Sequence, residues 1–202
     1  TTLRMLYTVL KPDAGSASID GVDVLADSIE ARRRIGALPH GAGLYPHLTA
    51  RENVAYYAAL HGLTGKALTR RVDDIVERLG MRAFAERRTK GFSQGQRTRV
   101  ALARALVHEP RNIILDEPTN GLDVLAIRAL RELLAGLRAA GKCVLFSSHV
   151  MQEVAAVCDE IVIIAEGRVA AAGTPAELRA RTGRDDLEDA FVAAIRSVGA
   201  AE

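Results

Sequence analysis

The sequence predicts an α/β fold in which a parallel sheet with crossover helices carries an inserted α-helical subdomain. Three short apolar runs, at 35–38, 113–115 and 143–146, have the length and composition of buried strands. Helical patterns separate these runs, and a mostly helical stretch from 49 to 108 lies between the first two. Because parallel strands need long crossover connections, usually helices, this alternation favours a parallel sheet.

The first 48 residues are predicted to hold four short elements. Residues 1–10 have the pattern of a helix end, and residues 16–25 alternate around a turn at Asp20-Gly21, as a β-hairpin does. Residues 29–34 form a short charged helix. The strand at 35–38 then leads into a loop, Pro39-His40-Gly41-Ala42-Gly43.

The stretch from 49 to 108 carries clear helix signals. It begins with a capping box, Thr49-Ala50-Arg51-Glu52. Gly80 ends a helix whose apolar residues share one face at helical spacing: Leu68, Val72, Ile75, Val76 and Leu79. A further helix after Ser93 has an apolar face of the same kind: Val100, Ala103 and Val107.

The rest of the chain continues the alternation and then closes with a hairpin and two helices. The helix between the second and third strands turns four apolar residues towards the core: Ile127, Leu130, Leu134 and Leu137. Residues 161–164 and 169–172 flank Gly167 as a closing hairpin. A small helix starts at Pro175, and residues 185–196 form a last amphipathic helix with three apolar residues: Leu187, Phe191 and Ile195.

Two adjacent carboxylates, Asp116 and Glu117, end the 113–115 strand, and Pro118 then breaks it. Burying an unpaired charge costs several kcal/mol, so paired acids at the end of a buried strand indicate a ligand. A divalent metal bound to phosphate is one such ligand. Asp116 would then hold Mg²⁺, usually through water, and Glu117 would polarise the water that attacks a γ-phosphate. The alternative is a strand end with two solvated acids.

Two other segments place polar groups where a ligand could meet them. Ser93 is a candidate N-cap, so the helix that follows offers a hydroxyl and N–H groups to an anion, while Gly95 allows close approach. The alternative is an ordinary N-cap without a ligand. The 143–146 strand ends in Ser147-Ser148-His149, again where polar groups should meet ligand, although a lone histidine at a strand end is usually structural.

Taken together, these motifs resemble the nucleotide-binding subunit of an ATP-binding cassette (ABC) transporter. Residues 92–96, Phe-Ser-Gln-Gly-Gln, resemble the family signature LSGGQ, with Phe for Leu and Gln for the first Gly. Residues 113–117 resemble the Walker B motif, residues 120–123 resemble the D-loop, and His149 stands where the switch histidine belongs. The resemblance extends over essentially the whole chain.

The resemblance implies a P-loop NTPase (RecA-like) fold and a single ABC ATPase domain over residues 1–202. In this division the catalytic α/β core takes 1–48 and 109–182, the helical signature subdomain takes 49–108, and the C-terminal helix takes 183–202. The loop from 41 to 53 is similar to that of the sodium- and drug-exporting branch of the family.

The resemblance also implies roles for particular residues in binding and hydrolysing ATP with Mg²⁺. Glu117 is the catalytic base, His149 contacts the γ-phosphate, and Asp116 is a metal ligand. The signature residues Ser93, Gln94, Gly95 and Gln96 belong to the nucleotide site, where Ser93, Gly95 and Gln96 act on the ATP held by a second subunit. Asp123 couples the two sites of the dimer, or alternatively serves only as the N-cap of the following helix. His40 stands where most members carry a glutamine that contacts Mg²⁺ and the membrane partner.

The start of the chain matches the residues that follow the phosphate-binding lysine of this family. The phosphate-binding loop, G-x-x-x-x-G-K-[ST], leads directly into a helix. Thr1 would supply the Mg²⁺-ligating hydroxyl and Thr2 a phosphate contact; the alternative is an arbitrary N-terminus. The chain is thus expected to be truncated after the Walker A lysine. The N-terminal strands, the glycine loop and an adenine-stacking aromatic residue would lie upstream, and this fragment would bind ATP weakly without hydrolysing it.

Composition narrows the remaining possibilities. The 27 basic and 25 acidic residues leave a net charge of +2, which argues against a nucleic-acid partner. No run of 18 or more apolar residues occurs, and two cysteines without metal spacing favour reduced thiols in the cytoplasm. The resemblance implies a homodimer at the inner face of the cell membrane, bound to a transmembrane permease. The alternatives are a soluble ABC ATPase of DNA repair or translation, or an inactive remnant of a disrupted gene.

Overall fold

The computed structural model describes residues 1–41 and 43–199, the last three of these by their backbone alone. The described chain forms two compact units, Thr1–Ser147 and Ser148–Glu202. Ala42, in the predicted loop 39–43, and residues 200–202 of the predicted C-terminal helix lie outside the described residues. The predicted division into a catalytic core, 1–48 with 109–182, and a helical subdomain, 49–108, stays a prediction.

The first unit contains a three-stranded parallel sheet in the order β3–β4–β5. Its strands are β3 (Ile35–Leu38), β4 (Asn112–Asp116) and β5 (Cys143–Ser147). In this register Leu38 lies beside Leu115, and Asp116 lies beside Ser147. The three strands therefore end at the same edge of the sheet, as the prediction of a parallel sheet requires.

The short elements that precede the sheet follow the predicted order. They are α1 (Thr2–Leu6), the antiparallel strands β1 (Ser18–Ile19) and β2 (Val22–Asp23), and α2 (Ser28–Arg33). Between the two short strands, Asp20 and Gly21 have φ of 49° and 78°. Two successive residues with positive φ form the type I′ turn that matches the twist of a hairpin, so the predicted hairpin is confirmed.

Helices make the crossover connections of this sheet. The connection from β3 to β4 contains α3 (Ala50–Leu60), α4 (Gly65–Arg78) and α5 (Gln94–Leu106), and α6 (Val124–Ala139) connects β4 to β5. Thr49 and Glu52 form the predicted capping box of α3. The predicted apolar faces are buried on α4 at Val72, Ile75 and Val76, and on α6 at Leu130, Leu134 and Leu137.

The prediction that the 143–146 run is a buried strand is wrong. Cys143 is exposed, and the side chain of Leu145 is 42% exposed. β4, by contrast, buries Ile113, Ile114 and Leu115. The difference follows from position in the described sheet, because β4 has a neighbour on both sides whereas β5 pairs with β4 at the edge. A run of apolar residues predicts a strand, but its burial depends on what lies beside it.

The second unit folds around its own apolar cluster. It contains α7 (Met151–Val157), the antiparallel strands β6 (Ile161–Ala165) and β7 (Arg168–Gly173), α8 (Pro175–Thr182) and α9 (Leu187–Gly199). The cluster consists of six buried residues: Ile163, Ala171, Leu178, Leu187, Ala190 and Ala194. The closing hairpin, the helix at Pro175 and the last amphipathic helix are therefore confirmed. Within the described part of the chain, no helix has both the length and the apolar character needed to cross a membrane.

Strand β3 packs directly on the backbone of α5 at Gly36. A Cβ atom at Gly36 would lie under 3.0 Å from the carbonyl oxygen of Ala105 and 2.6 Å from Cγ of Pro110. Interatomic distances of this size are steric overlaps, so only glycine allows the strand and the helix to approach this closely. The contact fixes the helical connection against the sheet.

We expect Gly36→Ala to lower the free energy of unfolding by about 1–3 kcal/mol, because the added methyl group must push β3 away from α5. Gly136 in α6 is the matched control, since nothing lies within 4 Å of a Cβ built there. Gly136→Ala should raise the free energy of unfolding by up to about 1 kcal/mol through helix propensity. Urea unfolding of the two variants measures both effects, and equal effects in the two would contradict the close-approach argument.

Two histidine rings stack where α3, α5 and β3 meet. The rings of His61 and His108 are parallel within 7°, with centroids 3.5 Å apart, and Nε2 of His108 donates to the carbonyl oxygen of Ile35 at 3.1 Å. Burial lowers the pKa of His108 to about 4, with a further contribution from His61. Burial also lowers the pKa of His61. Both rings are therefore neutral where they stack at neutral pH.

This stack predicts acid sensitivity. Between pH 6.5, the ordinary pKa of histidine, and about 4, the pKa of His108 in the folded chain, the unfolded chain binds more protons. The free energy of unfolding should therefore be steady above pH 6.5 and fall as the pH is lowered towards 4. His108→Gln should flatten this dependence in urea titrations, whereas His47→Gln, at an exposed loop position, should preserve it. A slope that survives in His108→Gln would assign the effect to other groups.

Candidate functional site

A cleft of about 200 Å³ opens at the edge of the sheet where β3 and β4 end. Three segments line it, namely the loop after β3, the first two turns of α5, and the end of β4 with the turn that follows it. The cleft brings together four of the predicted site residues: His40, Gln94, Asp116 and Glu117. Arg97 and Asn120 also line it. Residues from three distant parts of the sequence therefore share one concave surface, as a ligand site requires.

The hydroxyl of Ser147 joins the two acidic residues of the cleft. It donates to Oδ1 of Asp116 at 2.8 Å and accepts from the backbone N–H of Glu117 at 2.9 Å. The parallel register places Ser147 beside Asp116, which makes both bonds possible. A hydroxyl that donates to a carboxylate oxygen fixes the direction of that oxygen. Asp116 is thus held as an oriented oxygen ligand.

Ser147 was not among the predicted site residues, although the sequence carried a signal for it. The residue ends β5 as Asp116 ends β4, so alignment of the two strands by their last residues would have paired them. The prediction treated Ser147 only as part of a polar strand end. Its contact with Asp116 depends on the pairing of strands 31 positions apart in the sequence.

Glu117 has a strained backbone conformation. Its φ is 51°, in the left-handed region that side-chain-bearing residues seldom adopt. Its carbonyl oxygen accepts from the N–H of Asn120 at 3.2 Å, so a tight turn begins at this residue. Left-handed conformations of non-glycine residues cost about 1–2 kcal/mol and occur often at active sites, where the surrounding structure maintains them.

The signature segment begins α5 with a reciprocal cap. Oγ of Ser93 accepts from the N–H of Gln96 at 3.3 Å, and Oε1 of Gln96 accepts from the N–H of Ser93 at 3.1 Å. The side chains of Ser93 and Gln96 therefore cap their own helix, which is the structural alternative stated for Ser93. The N–H groups of Gln94 and Gly95 remain as first-turn donors without an acceptor inside the helix.

Gln94 and Gly95 face different neighbours. Gln94 lies against Gly121 in the D-loop of the same chain, because a Cβ atom at Gly121 would be 3.1 Å from Cγ of Gln94. Gly95 faces α6, where its nearest neighbour is the methyl group of Ala126. The glutamine that replaces the first glycine of the family signature therefore joins the signature turn to the D-loop and lines the cleft with Asp116 and Glu117.

Ser93, Gly95 and Gln96 are not part of the lining of the cleft, and neither are the predicted site residues Thr1, Thr2 and Asp123. Thr1 and Thr2 begin α1 with exposed side chains, and no hydrogen bond joins either of them to Asp116 in the part of the chain that the structure describes. Asp123 caps α6 by accepting from the N–H of Ala126 at 2.8 Å, which is the structural alternative stated for it. The next two side chains, Val124 and Leu125, are 81% and 78% exposed.

The end of α1 reaches the neighbourhood of Asp116. Tyr7 follows this helix and is buried with Ile114 of β4 in one apolar cluster. Burial raises the pKa of the Tyr7 phenol, and the charge of Asp116 raises it further. The helix that carries Thr1 and Thr2 therefore packs on the strand that carries the candidate metal ligand.

His149 belongs to the second unit, two residues after the end of β5. Its predicted contact with the γ-phosphate stays a prediction. The roles predicted for the other site residues stay predictions as well.

The donor set at the end of β4 fits Mg²⁺. Mg²⁺ is usually bound through one or two carboxylates, with substrate phosphate oxygens and water completing the shell. Asp116, oriented by Ser147, supplies such a carboxylate at the rim of an open cleft. The described residues contain no cluster of three or more His, Cys, Asp or Glu side chains able to form a metal cage. A metal bound together with a phosphate ligand is therefore the chemistry that these residues can support.

Comparisons with known proteins identify the class to which this fold and site belong. The family model for ABC transporters matches residues 1–120. One solved structure, of an ATP-binding subunit of an ABC transporter, has a TM-score of 0.86 at 30% identity, covering 96% of this chain and 81% of its own. A dimeric ATP-binding cassette in a post-hydrolysis state, bound to ADP and Pi, has a TM-score of 0.75 at 26% identity, covering 86% and 78%.

The chain belongs to the family of ABC transporter ATP-binding proteins, which are ABC-type ATPases. The ABC transporter ATP-binding protein NatA of Bacillus subtilis is 40% identical over 96% of the chain and 80% of its own length. The linearmycin resistance ATP-binding protein LnrL of Bacillus subtilis is 33% identical, covering 98% and 66%. The Nod factor export ATP-binding protein I of Burkholderia pseudomallei is 39% identical, covering 93% and 62%. The chain thus spans about two thirds of the last two relatives, and their names fit the predicted export branch.

We expect Glu117→Gly to stabilise the chain. A side chain at φ 51° destabilises the folded state by about 1–2 kcal/mol, and glycine removes this cost. Glycine also has more conformational freedom in the unfolded state, which offsets about 0.5–1 kcal/mol of the gain. The free energy of unfolding should therefore rise by about 0.5–1 kcal/mol relative to Glu117→Gln, which retains the strain and loses the same charge. Urea unfolding compares the two variants, and a glycine variant that is less stable than the glutamine variant would refute the strain at this position.

Proposed function

We propose that this protein is the ATP-hydrolysing subunit of an exporter and that it drives a substrate through a separate transmembrane partner. The observation that carries the proposal is the arrangement of Asp116 and Glu117, joined by the Ser147 hydroxyl in a cleft that His40 also lines. An oriented carboxylate beside a second carboxylate, at the end of parallel strands, suits phosphoryl transfer to water.

Each residue of the cleft has a distinct task in this proposal. Asp116 would hold Mg²⁺, which would neutralise charge on the phosphate oxygens when bound. Glu117 accepts a proton from the attacking water, and its strained turn keeps the carboxylate close to the strand end. His40 and Gln94 contribute polar contacts from two other segments that line the cleft. Thr1 and His149 act as a further metal ligand and as a γ-phosphate contact, and Thr2 contacts phosphate.

The proposed active form is a homodimer that holds two ATP molecules between its subunits. Ser93, Gly95 and Gln96 act on the ATP of the partner subunit through the first turn of α5, where helix geometry gives the N–H groups of Gln94 and Gly95 no acceptor within the helix. Asp123 couples the two sites. The exposed apolar side chains of Val124 and Leu125, directly after Asp123, support a protein partner at this surface. The dimeric form of one related cassette supports the same arrangement.

The membrane partner is proposed from the family and from the names of its relatives. ABC transporter ATP-binding proteins work with transmembrane subunits, and two of the relatives are named for resistance and for export. We place the protein at the cytoplasmic face of the membrane, where a permease subunit contacts the loop that carries His40. A neighbouring gene that encodes several apolar helices of bilayer length would support this partner, whereas a gene for a coiled-coil or second-cassette protein would favour a soluble ATPase of DNA repair or translation.

The test measures ATP turnover in two forms of the protein: the 202-residue chain, and the same chain preceded by N-terminal strands and a glycine-lysine phosphate-binding loop taken from a related ABC ATPase. We expect Mg²⁺-dependent hydrolysis from the second form. Glu117→Gln should lower its turnover by about 10²–10⁴-fold while ATP binding persists, because only proton transfer is lost. Ser147→Ala should lower turnover by about tenfold or more, because Asp116 loses its orientation.

The control is Glu132→Gln, which makes the same substitution at an exposed site on α6. It should leave turnover unchanged. Normal turnover in Glu117→Gln would remove the base role from Glu117. Absence of hydrolysis in the form with the phosphate-binding loop, with Mg²⁺ and the membrane partner present, would favour the inactive-remnant alternative.

A further inference from the structure

An arginine inside the helical connection holds the loop between β3 and α3. Arg104 of α5 is only 9% exposed. Its Nη1 donates to the carbonyl oxygen of Gly43 at 2.8 Å, and its guanidinium carbon lies 3.7 Å from the centroid of the Tyr57 ring on α3. One planar cation therefore contacts the loop and α3 while it belongs to α5.

The contacts around Arg104 offset part of the cost of burying its charge. Burial lowers the pKa of Arg104, and the contact with Tyr57 partly offsets the effect. A buried cation needs partners, and here they are a backbone carbonyl oxygen and the face of an aromatic ring. A guanidinium can stack flat on a ring and still donate in its plane, whereas the ammonium group of a lysine cannot do both.

Hydrogen bonds to the backbone of Tyr45 fix a second point of the same loop. Asn53 of α3, which is fully buried, accepts from the N–H of Tyr45 at 2.9 Å and donates to its carbonyl oxygen at 3.1 Å. The hydroxyl of Thr89 donates to the same oxygen at 2.9 Å. On the other side, Leu38 is paired in the sheet. His40 thus lies between a strand end and the anchor that Arg104 provides.

We propose that Arg104 is a positioning residue for the catalytic cleft, and that it ties the placement of His40 to the relative position of α3 and α5. If α3 moves against α5, the guanidinium must leave either the Tyr57 ring or the Gly43 carbonyl group, and the loop is then released. This deepens the proposed function, and its catalytic part rests on that function. The placement of the loop can be tested without it.

The first test measures hydrogen–deuterium exchange in the 202-residue chain, which requires no ATP hydrolysis. We expect Arg104→Met to accelerate exchange in a peptide covering residues 39–48 by about tenfold, with unchanged protection in β4 and α6. Arg71→Met is the matched control, because Arg71 also lies in this helical connection but pairs with Glu109, away from the loop. It should leave the 39–48 peptide unchanged.

The second test measures ATP turnover and ATP affinity in the form that carries the phosphate-binding loop. We expect Arg104→Met to lower kcat by about tenfold and to change the Kd for ATP by less than about twofold. The variant would alter the geometry of the cleft at the reacting phosphate but would remove no group that binds ATP. Tyr57→Phe retains the aromatic ring and loses only the hydroxyl that also bonds Arg104, so it should lie closer to the wild type than Arg104→Met does. Arg104→Lys should be intermediate, because it retains the charge without the planar stack.

Unchanged exchange at 39–48 in a folded Arg104→Met variant would overturn the proposal, and so would an equal loss of kcat in Arg71→Met. If Arg104→Met does not fold, Arg104→Lys and Tyr57→Leu provide the same comparison, and loop protection equal to that of the wild type in both would overturn it. If the wild type itself hydrolyses no ATP, the proposed function fails, and the exchange experiment still decides the placement of the loop.

Discussion

The candidate site depends on one hydrogen-bonded link, the Ser147 hydroxyl between Asp116 and the backbone of Glu117. This link exists because β4 and β5 are parallel and in register to their last residues. It orients a carboxylate that would otherwise rotate in solvent, and it fixes the start of the turn in which Glu117 lies. The sheet therefore acts as the positioning device of the site, and a shift of register by one residue would separate its two acids from Ser147.

A second constraint brings the helical connection to the same place. Gly36 lets β3 touch the backbone of α5, and the loop after β3 and the first turns of α5 line the same cleft as the acidic pair. The cleft is thus built from backbone packing, and polar side chains are added at its rim. Arg104 extends this packing to α3, because it contacts both Gly43 and Tyr57. Direct contacts therefore join the loop after β3, α5 and α3.

The turn after β4, where the chemistry is expected, contains two residues with positive φ. Glu117 has a left-handed backbone, and Gly121, four residues later, also has a positive φ and lies against Gln94. The turn between β4 and α6 is therefore tight, and the signature turn rests on it. Such a segment can favour function because it holds a carboxylate and the residues before α6 in fixed positions, and it costs stability for the same reason.

The sequence by itself determined the features that arise from neighbouring residues. The Asp20-Gly21 turn, the capping box at Thr49, the N-cap at Ser93, and the apolar faces of α4 and α6 follow from interactions within a few residues, so pattern and propensity predict them. The acidic pair and the family motifs also predicted the site in outline. Tertiary structure alone decided the exposure of β5, the Ser147 link, the contact of Gln94 with Gly121, and the place of Arg104 on Tyr57 and Gly43. Each of these joins residues far apart in the chain, and their contacts depend on register and packing distance, which no local pattern encodes.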